Sequence, residues 1–66
     1  MQLLDVVALT EDLPKRKLYR GQVGTVVELH TIDVVEVEFS DLTGRTYAML
    51  AIPVRQLMRL IHATVE

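Results

Sequence analysis

Strand-forming and turn-forming segments alternate along residues 21–51, which make up almost half of this 66-residue chain. Three segments are rich in valine, threonine and aromatic residues, and two short turn sequences separate them. In the clearest segment, valines and Phe39 alternate with Glu36 and Glu38, which is the period-two pattern of a strand with one buried face. The predicted fold is therefore all-β: an antiparallel meander that closes into a small barrel.

Length and composition favour one small domain spanning residues 1–66. A chain of this size buries only about 60% of the surface that it exposes when unfolded, so a deep enzyme cleft is not expected. Half of the residues are hydrophobic and none is cysteine, which excludes disulfides and thiolate metal sites. We expect a cytoplasmic protein, since the N-terminus has no export signal pattern and no apolar run could form a membrane helix.

The flanking segments complete five strands. Residues 5–9 form a short strand that ends near Leu9 or Thr10, and residues 10–20 form a long loop. Pro53 in residues 52–57 indicates a single 3₁₀ turn. A last strand over residues 57–61 should pair with the first strand, and residues 62–66 should form a frayed tail.

Turn residues predict where the central strands bend and how they pair. Gly21 and Gly24 bracket the start of the second strand and indicate a bulge or a barrel corner, which leaves open which face of that strand is buried. Residues 41–44 fit a type I turn followed by a glycine bulge. Extending the register outward from this turn, the predicted core-facing pairs are Phe39 with Tyr47, Val37 with Met49, and Val35 with Ala51, with Ala48 and Leu50 outside.

This order of elements resembles the SH3-like barrels. The strings LLDVVALTEDLP (residues 3–14), YRGQVGTVVE (residues 19–28) and EVEF (residues 36–39) closely resemble a family of short bacterial proteins classified only as a domain of unknown function. That resemblance implies the fold but no activity, cofactor or catalytic residue. Residues 21–26, GQVGTV, also resemble the KOW motif of ribosomal and transcription proteins, although glutamates follow where an RNA-binding module favours Lys or Arg.

Two charged groups are candidates for partner binding. The long loop carries the basic cluster Lys15, Arg16, Lys17 and Arg20, which could bind phosphate or an acidic protein surface but could also be only solvated. On the strands, Glu28, Glu36 and Glu38 should cluster on the outer face of one hairpin, where they could dock a partner or prevent edge-to-edge association.

No catalytic or metal-binding motif is present in the sequence. His30 and His62 are far apart in the chain, and Ser40 lies before a turn without a nearby base, so no nucleophile arrangement is indicated. The spacing of the three glycines matches neither GxxxxGK[ST] nor GxGxxG, the two glycine-rich motifs that bind phosphate. We therefore expect a non-enzymatic protein with no cofactor and no metal.

The chain has more apolar residues than a small core can hold, which predicts an exposed apolar patch of Val26, Val34 and Leu50. Such a patch, flanked by Glu36, would mark a protein interface. On this hypothesis Leu50→Asp would abolish association without unfolding the monomer.

Two functions remain open from the sequence, and an enzyme whose turnover depends on His30 is kept as a third. The favoured one is a protein-interaction module, either an accessory subunit or the neutralising member of a two-protein pair, with a second copy of the chain as another possible partner. The alternative is a KOW-like nucleic-acid binder that uses the basic cluster. No membrane partner is expected, and the net charge of −2 gives no overall attraction to phosphate.

Overall fold

A computed structural model describes residues 1–61 of the chain. Its strands form one antiparallel sheet in the order β4-β3-β2-β1-β5. The strands are β1 (Val6–Leu9), β2 (Val23–Thr31), β3 (Val34–Ser40), β4 (Thr46–Pro53) and β5 (Leu57–Arg59), and two 3₁₀ turns span Pro14–Arg16 and Val54–Gln56.

The predicted five-stranded, SH3-like layout is confirmed. A long loop follows β1, a 3₁₀ turn precedes β5, and β5 pairs with β1. The sheet is open, with β4 and β5 as its two edges. The predicted tail over residues 62–66, including His62, lies outside the described residues. Between Met1 and Ile61 no helix has the length and apolar character needed to cross a membrane.

The core lies between the inward faces of the bent sheet and the long loop. Leu18 anchors the loop, since it is almost fully buried and its backbone bridges to Leu13. Phe39 is the largest fully buried side chain. The remaining buried core residues are aliphatic: Val7, Leu9, Val26, Val35, Val37, Ile52 and Leu57.

Of the two glycines at the start of β2, Gly24 lies at a close approach of the neighbouring strand. A Cβ at this position would lie 2.6 Å from Val37 Cγ1 and 2.8 Å from the Glu38 carbonyl oxygen. The β1–β2 register runs unbroken through Gly24, and the bulges of β2 lie further along the strand, on either side of Glu28 and Leu29. The bulge predicted between the two glycines lies just before β2: the Gly21 amide donates to the Leu9 carbonyl (2.8 Å), the Leu9 amide donates to the Gln22 carbonyl (2.9 Å), and Gly21 is left-handed (φ 93°).

The predicted pairing of β3 with β4 is wrong by one residue. The register shifts between Phe39 and Ser40, so that Phe39 lies opposite Ala48 and the extra residue Tyr47 is left between two pairs. A one-residue slip moves every side chain of a strand to its other face. Consequently the inward residues of β4 are Ala48, Leu50 and Ile52, whereas Tyr47, Met49 and Ala51 are exposed.

Candidate functional site: an uncharged edge strand beside an acidic sheet face

The strand β4 is a sheet edge that carries no charged side chain. Its eight residues, TYAMLAIP, pair only with β3 among the strands of residues 1–61. Natural edge strands are usually protected by charges, bulges or short length, because their free hydrogen-bonding groups attract other strands. Within residues 1–61, the bulge at Tyr47 and the terminal Pro53 are the features of β4 that protect this edge.

A single hydrogen bond shows which backbone groups of β4 face the free edge. The Val54 amide donates to the Asp33 carbonyl (2.8 Å). Val54 follows Pro53 and Asp33 precedes Val34, so this bond lies beside the facing pair Val34 and Pro53. A bond in this position identifies the pair as one whose two residues exchange no hydrogen bonds with each other. In an antiparallel ladder such pairs alternate with pairs that exchange both bonds.

By the same alternation, Met49 and Ala51 also belong to pairs that exchange no hydrogen bonds with β3. They lie four and two residues before Pro53, and no register shift falls between these positions. Their N–H and C=O groups point away from β3. Both side chains are also exposed, and Met49 is 50% accessible. The middle of β4 therefore offers two amide donors and two carbonyl acceptors to a strand laid beside it.

The outer face next to this edge is acidic. Glu38 lies opposite Met49, and Glu36 lies opposite Ala51 on one side and Glu28 on the other. The three glutamates thus cluster on one face, as the sequence predicts.

Two of these glutamates accept hydrogen bonds from neighbouring side chains. The Thr46 hydroxyl donates to Glu38 Oε2 (2.7 Å), and His30 Nε2 lies 2.6 Å from Glu36 Oε1. This hydrogen bond to Glu36 raises the pKa of His30 above its ordinary value, and the charges of Glu28 and Glu36 add to the effect. Among the described residues, His30 is the only basic group within ion-pair distance of this acidic face, which it can partly neutralise.

The predicted exposed patch of Val26, Val34 and Leu50 is not present. Val26 is fully buried in the core, and Leu50 is half-buried and packs against it. Val34 is half-buried and lies on the opposite face of the sheet, because its neighbour Val35 points into the core. Two of the three residues are core residues for the same reason: they flank Val37 in register. Leu50→Asp would consequently affect the fold.

The basic cluster lies on the surface of the long loop. Lys15 and Arg16 are in the first 3₁₀ turn, Lys17 follows with a left-handed backbone (φ 58°), and all are exposed. The Arg20 amide donates to the Asp12 carboxylate (2.9 Å), which fixes the end of the loop. None of the four basic side chains forms an ion pair within residues 1–61.

Two half-exposed tyrosines lie next to the end of this loop, an arrangement that the sequence did not predict. Gln22 connects them, because its Nε2 donates to the Tyr47 hydroxyl (3.1 Å) and its Oε1 accepts from the Tyr19 amide. The Tyr47 ring also lies 6.4 Å from the buried Phe39 ring, measured between centroids. Tyr47 was expected in the core, and only the bulge in β4 places it at the surface.

The described residues contain no arrangement that could hold a metal ion. Within residues 1–61, no three His, Asp or Glu side chains come together as a candidate ligand set. The polar contacts of the acidic face are hydrogen bonds between pairs of side chains.

These features define a small all-β protein with a single open sheet and an uncharged edge. The chain matches the family described as Domain of unknown function (DUF4926) over residues 3–59, and it belongs to that family. The match confirms the resemblance seen in the sequence. No curated protein and no solved structure matches the chain.

Proposed function

We propose that this protein is a small non-catalytic interaction module that binds a larger protein through the edge of β4. It would act as an accessory subunit or as the neutralising member of a two-protein pair. The observation that carries the proposal is the eight-residue edge strand without charge, whose Met49 and Ala51 backbone groups face outward. Addition of a strand to an exposed sheet edge is a common mode of protein recognition, in which backbone hydrogen bonds supply much of the affinity.

Size and composition support the non-catalytic part of the proposal. A domain of this length buries too little surface to enclose a substrate away from water. We also propose a cytoplasmic location, which the absence of cysteine supports, since small secreted domains usually depend on disulfides.

The test is capture of the partner from the native cell by tagged variants that differ at one edge amide. Ala51→Pro removes an outward-facing N–H and leaves the ladder to β3 in place, because proline is tolerated on edge strands where its nitrogen faces solvent. Ala51→Ser keeps the amide and is the matched control. We expect wild type and Ala51→Ser to retain a stoichiometric protein at moderate salt after nuclease treatment.

Ala51→Pro should lose most of that partner while keeping a wild-type circular dichroism spectrum. Loss of one backbone hydrogen bond costs about 1 kcal/mol, or about a fivefold loss of affinity, and the proline ring adds a steric obstacle. Equal capture by Ala51→Pro and Ala51→Ser would refute docking at β4.

A nucleic-acid-binding function is the second candidate, and the pairing of aromatic and basic side chains favours it. Tyr19 and Tyr47 are about half-exposed, Gln22 connects them, and Tyr19 directly precedes Arg20 of the basic cluster. Exposed aromatic rings next to cations are typical of surfaces that bind single strands by stacking. This function predicts binding to short RNA or DNA that weakens about tenfold or more between 50 and 200 mM salt. Absence of binding at low salt would exclude it.

A further inference from the structure

The two faces of the β4 edge differ in chemistry. On the core face, Ala48 and Leu50 are half-buried and pack against the hydrophobic core. On the outer face, Glu36 and Glu38 of β3 lie directly behind the exposed residues of β4. A strand added at this edge would therefore contact an apolar surface with one side and an acidic surface with the other.

The inward side chains of an added strand are expected to be apolar. Successive residues of a strand point to opposite faces of the sheet, so every second residue would extend the core face beyond Ala48 and Leu50. Apolar side chains at these positions would remove the exposed parts of both residues from water. Polar side chains there would lose hydration without a partner.

The outward side chains of an added strand are expected to be cationic. Two strand spacings, about 10 Å, separate its backbone from that of β3. Ala51 is small, so a lysine or arginine opposite it can extend over the Ala51 methyl toward Glu36. A carboxylate has about four lone-pair positions, so the contacts with His30 and Thr46 leave Glu36 and Glu38 able to accept further bonds.

A second copy of the chain fits this edge less well. Antiparallel pairing of two β4 strands would place Tyr47, Met49 and Ala51 on the outer face and would supply no cation. The glutamates of both copies would then stay without new partners. Charge complementarity therefore favours a different protein as the occupant.

We infer that the partner supplies an extended segment in which apolar residues alternate with lysine or arginine. Its backbone bonds to Met49 and Ala51 of β4, its apolar side chains continue the core face, and its cations pair with Glu36 and Glu38. This inference rests on the proposed function and specifies the partner of that same edge.

Short synthetic peptides test the inference directly. One peptide alternates Val and Lys, a second contains the same residues as a Val block followed by a Lys block, and a third alternates Val and Glu. Affinity is measured by NMR titration, and hydrogen exchange is followed at the Met49 and Ala51 amides. We expect the alternating Val/Lys peptide to bind and to slow exchange at both amides.

The block peptide has equal charge but cannot present two different faces, so we expect it to bind about tenfold more weakly than the alternating peptide. The Val/Glu peptide should not bind. Combining Glu36→Gln with Glu38→Gln should weaken the alternating Val/Lys peptide about fivefold, as expected for two partly exposed ion pairs. Glu11→Gln, on the loop after β1, is the control for loss of negative charge and should change little.

Several results would overturn the inference. Equal binding of the block peptide would show attraction by charge alone, and equal binding of the Val/Glu peptide would show that the glutamates do not select the partner. Absence of binding by the Val/Lys peptide, self-association of the protein through β4, or occupation of this edge by nucleic acid would also refute it. If the peptides fail while Ala51→Pro still abolishes partner capture, the inference is wrong and the proposed function stands.

Discussion

Gly24 shows how one residue fixes the path of the sheet. It is buried, pairs with Val7 on β1, and lies against Val37 and Phe39 on the other side. Any larger residue would have to displace the backbone carbonyl of Glu38, which is 2.8 Å from the position of a Cβ. The two glycines in the sequence indicated a bulge or a close backbone approach in this region, but the neighbour that excludes a side chain at Gly24 is known only from the fold.

Gly24→Ala should destabilise the protein by about 2 kcal/mol, the usual cost of overpacking a core. The midpoint of urea denaturation measures the loss. Gly44→Asn is the control, because Gly44 has a left-handed backbone (φ 85°) in open space, which asparagine tolerates. A Gly24→Ala protein as stable as Gly44→Asn would contradict the close approach.

His30 should titrate above its ordinary pKa of 6.5, because its hydrogen bond to Glu36 stabilises the charged ring. A folded-state pKa above the unfolded value stabilises the protein fully below pH 6.5, and this stabilisation is lost as the pH rises through the raised value. NMR titration of the imidazole measures the shift. Glu36→Gln should lower the pKa of His30, and Glu38→Gln, which neutralises the carboxylate bonded to Thr46 instead, should lower it less. An unchanged pKa in Glu36→Gln would contradict the pairing.

The strand β4 depends on its hairpin turn for its register. Asp41 accepts hydrogen bonds from the Thr43 and Arg45 amides (2.9 and 3.0 Å), and Gly44 supplies the left-handed residue. The bulge that follows adds Tyr47 to β4 and turns Leu50 inward and Met49 outward. The face that β4 presents to a partner is therefore set by one extra residue after the turn.

Identical substitutions at Leu50 and Met49 test this register. Leu50→Lys should destabilise the protein by about 2 kcal/mol or more, since it removes a core contact and places a charge beside apolar residues. Met49→Lys should change stability by less than about 0.5 kcal/mol, because Met49 is exposed and faces Glu38. Thermal unfolding followed by circular dichroism measures both. If Met49→Lys destabilised the protein more than Leu50→Lys, the register expected from the sequence would be the correct one.

A single small core holds the whole molecule together. Phe39 is the only aromatic residue in it, and the other members are aliphatic. The structure has no disulfide to support this core. Domains of this size have a total stability of only about 3–10 kcal/mol, so loss of one large core side chain takes a large share of it.

Phe39→Ala should leave much of the protein unfolded at room temperature, because such a truncation costs about 4 kcal/mol. Far-ultraviolet circular dichroism and NMR peak dispersion report the folded fraction. Phe39→Leu keeps most of the volume and should remain folded with reduced stability. A native spectrum for Phe39→Ala would show that the core does not depend on this ring.

Local patterns in the sequence determined the elements of this protein. Period-two alternation in β3, the turn residues around Asp41 and Gly44, and the proline before the last 3₁₀ turn each act over a few neighbouring residues, so the sequence alone predicted the five strands and their order. The acidic face was predictable for the same reason, since Glu36 and Glu38 alternate with core residues.

Only the tertiary structure decided which residues of β4 are exposed and where its edge lies. Strand register depends on pairing between segments that are distant in sequence, and a single bulge reversed the faces of Tyr47, Met49 and Leu50. The free edge arises because the sheet stays open at β4, and whether the two edges of a sheet meet depends on contacts between segments distant in sequence. The apolar patch expected from the sequence is therefore absent, because Val26 and Leu50 pack in the core, and the uncharged edge is the candidate site instead.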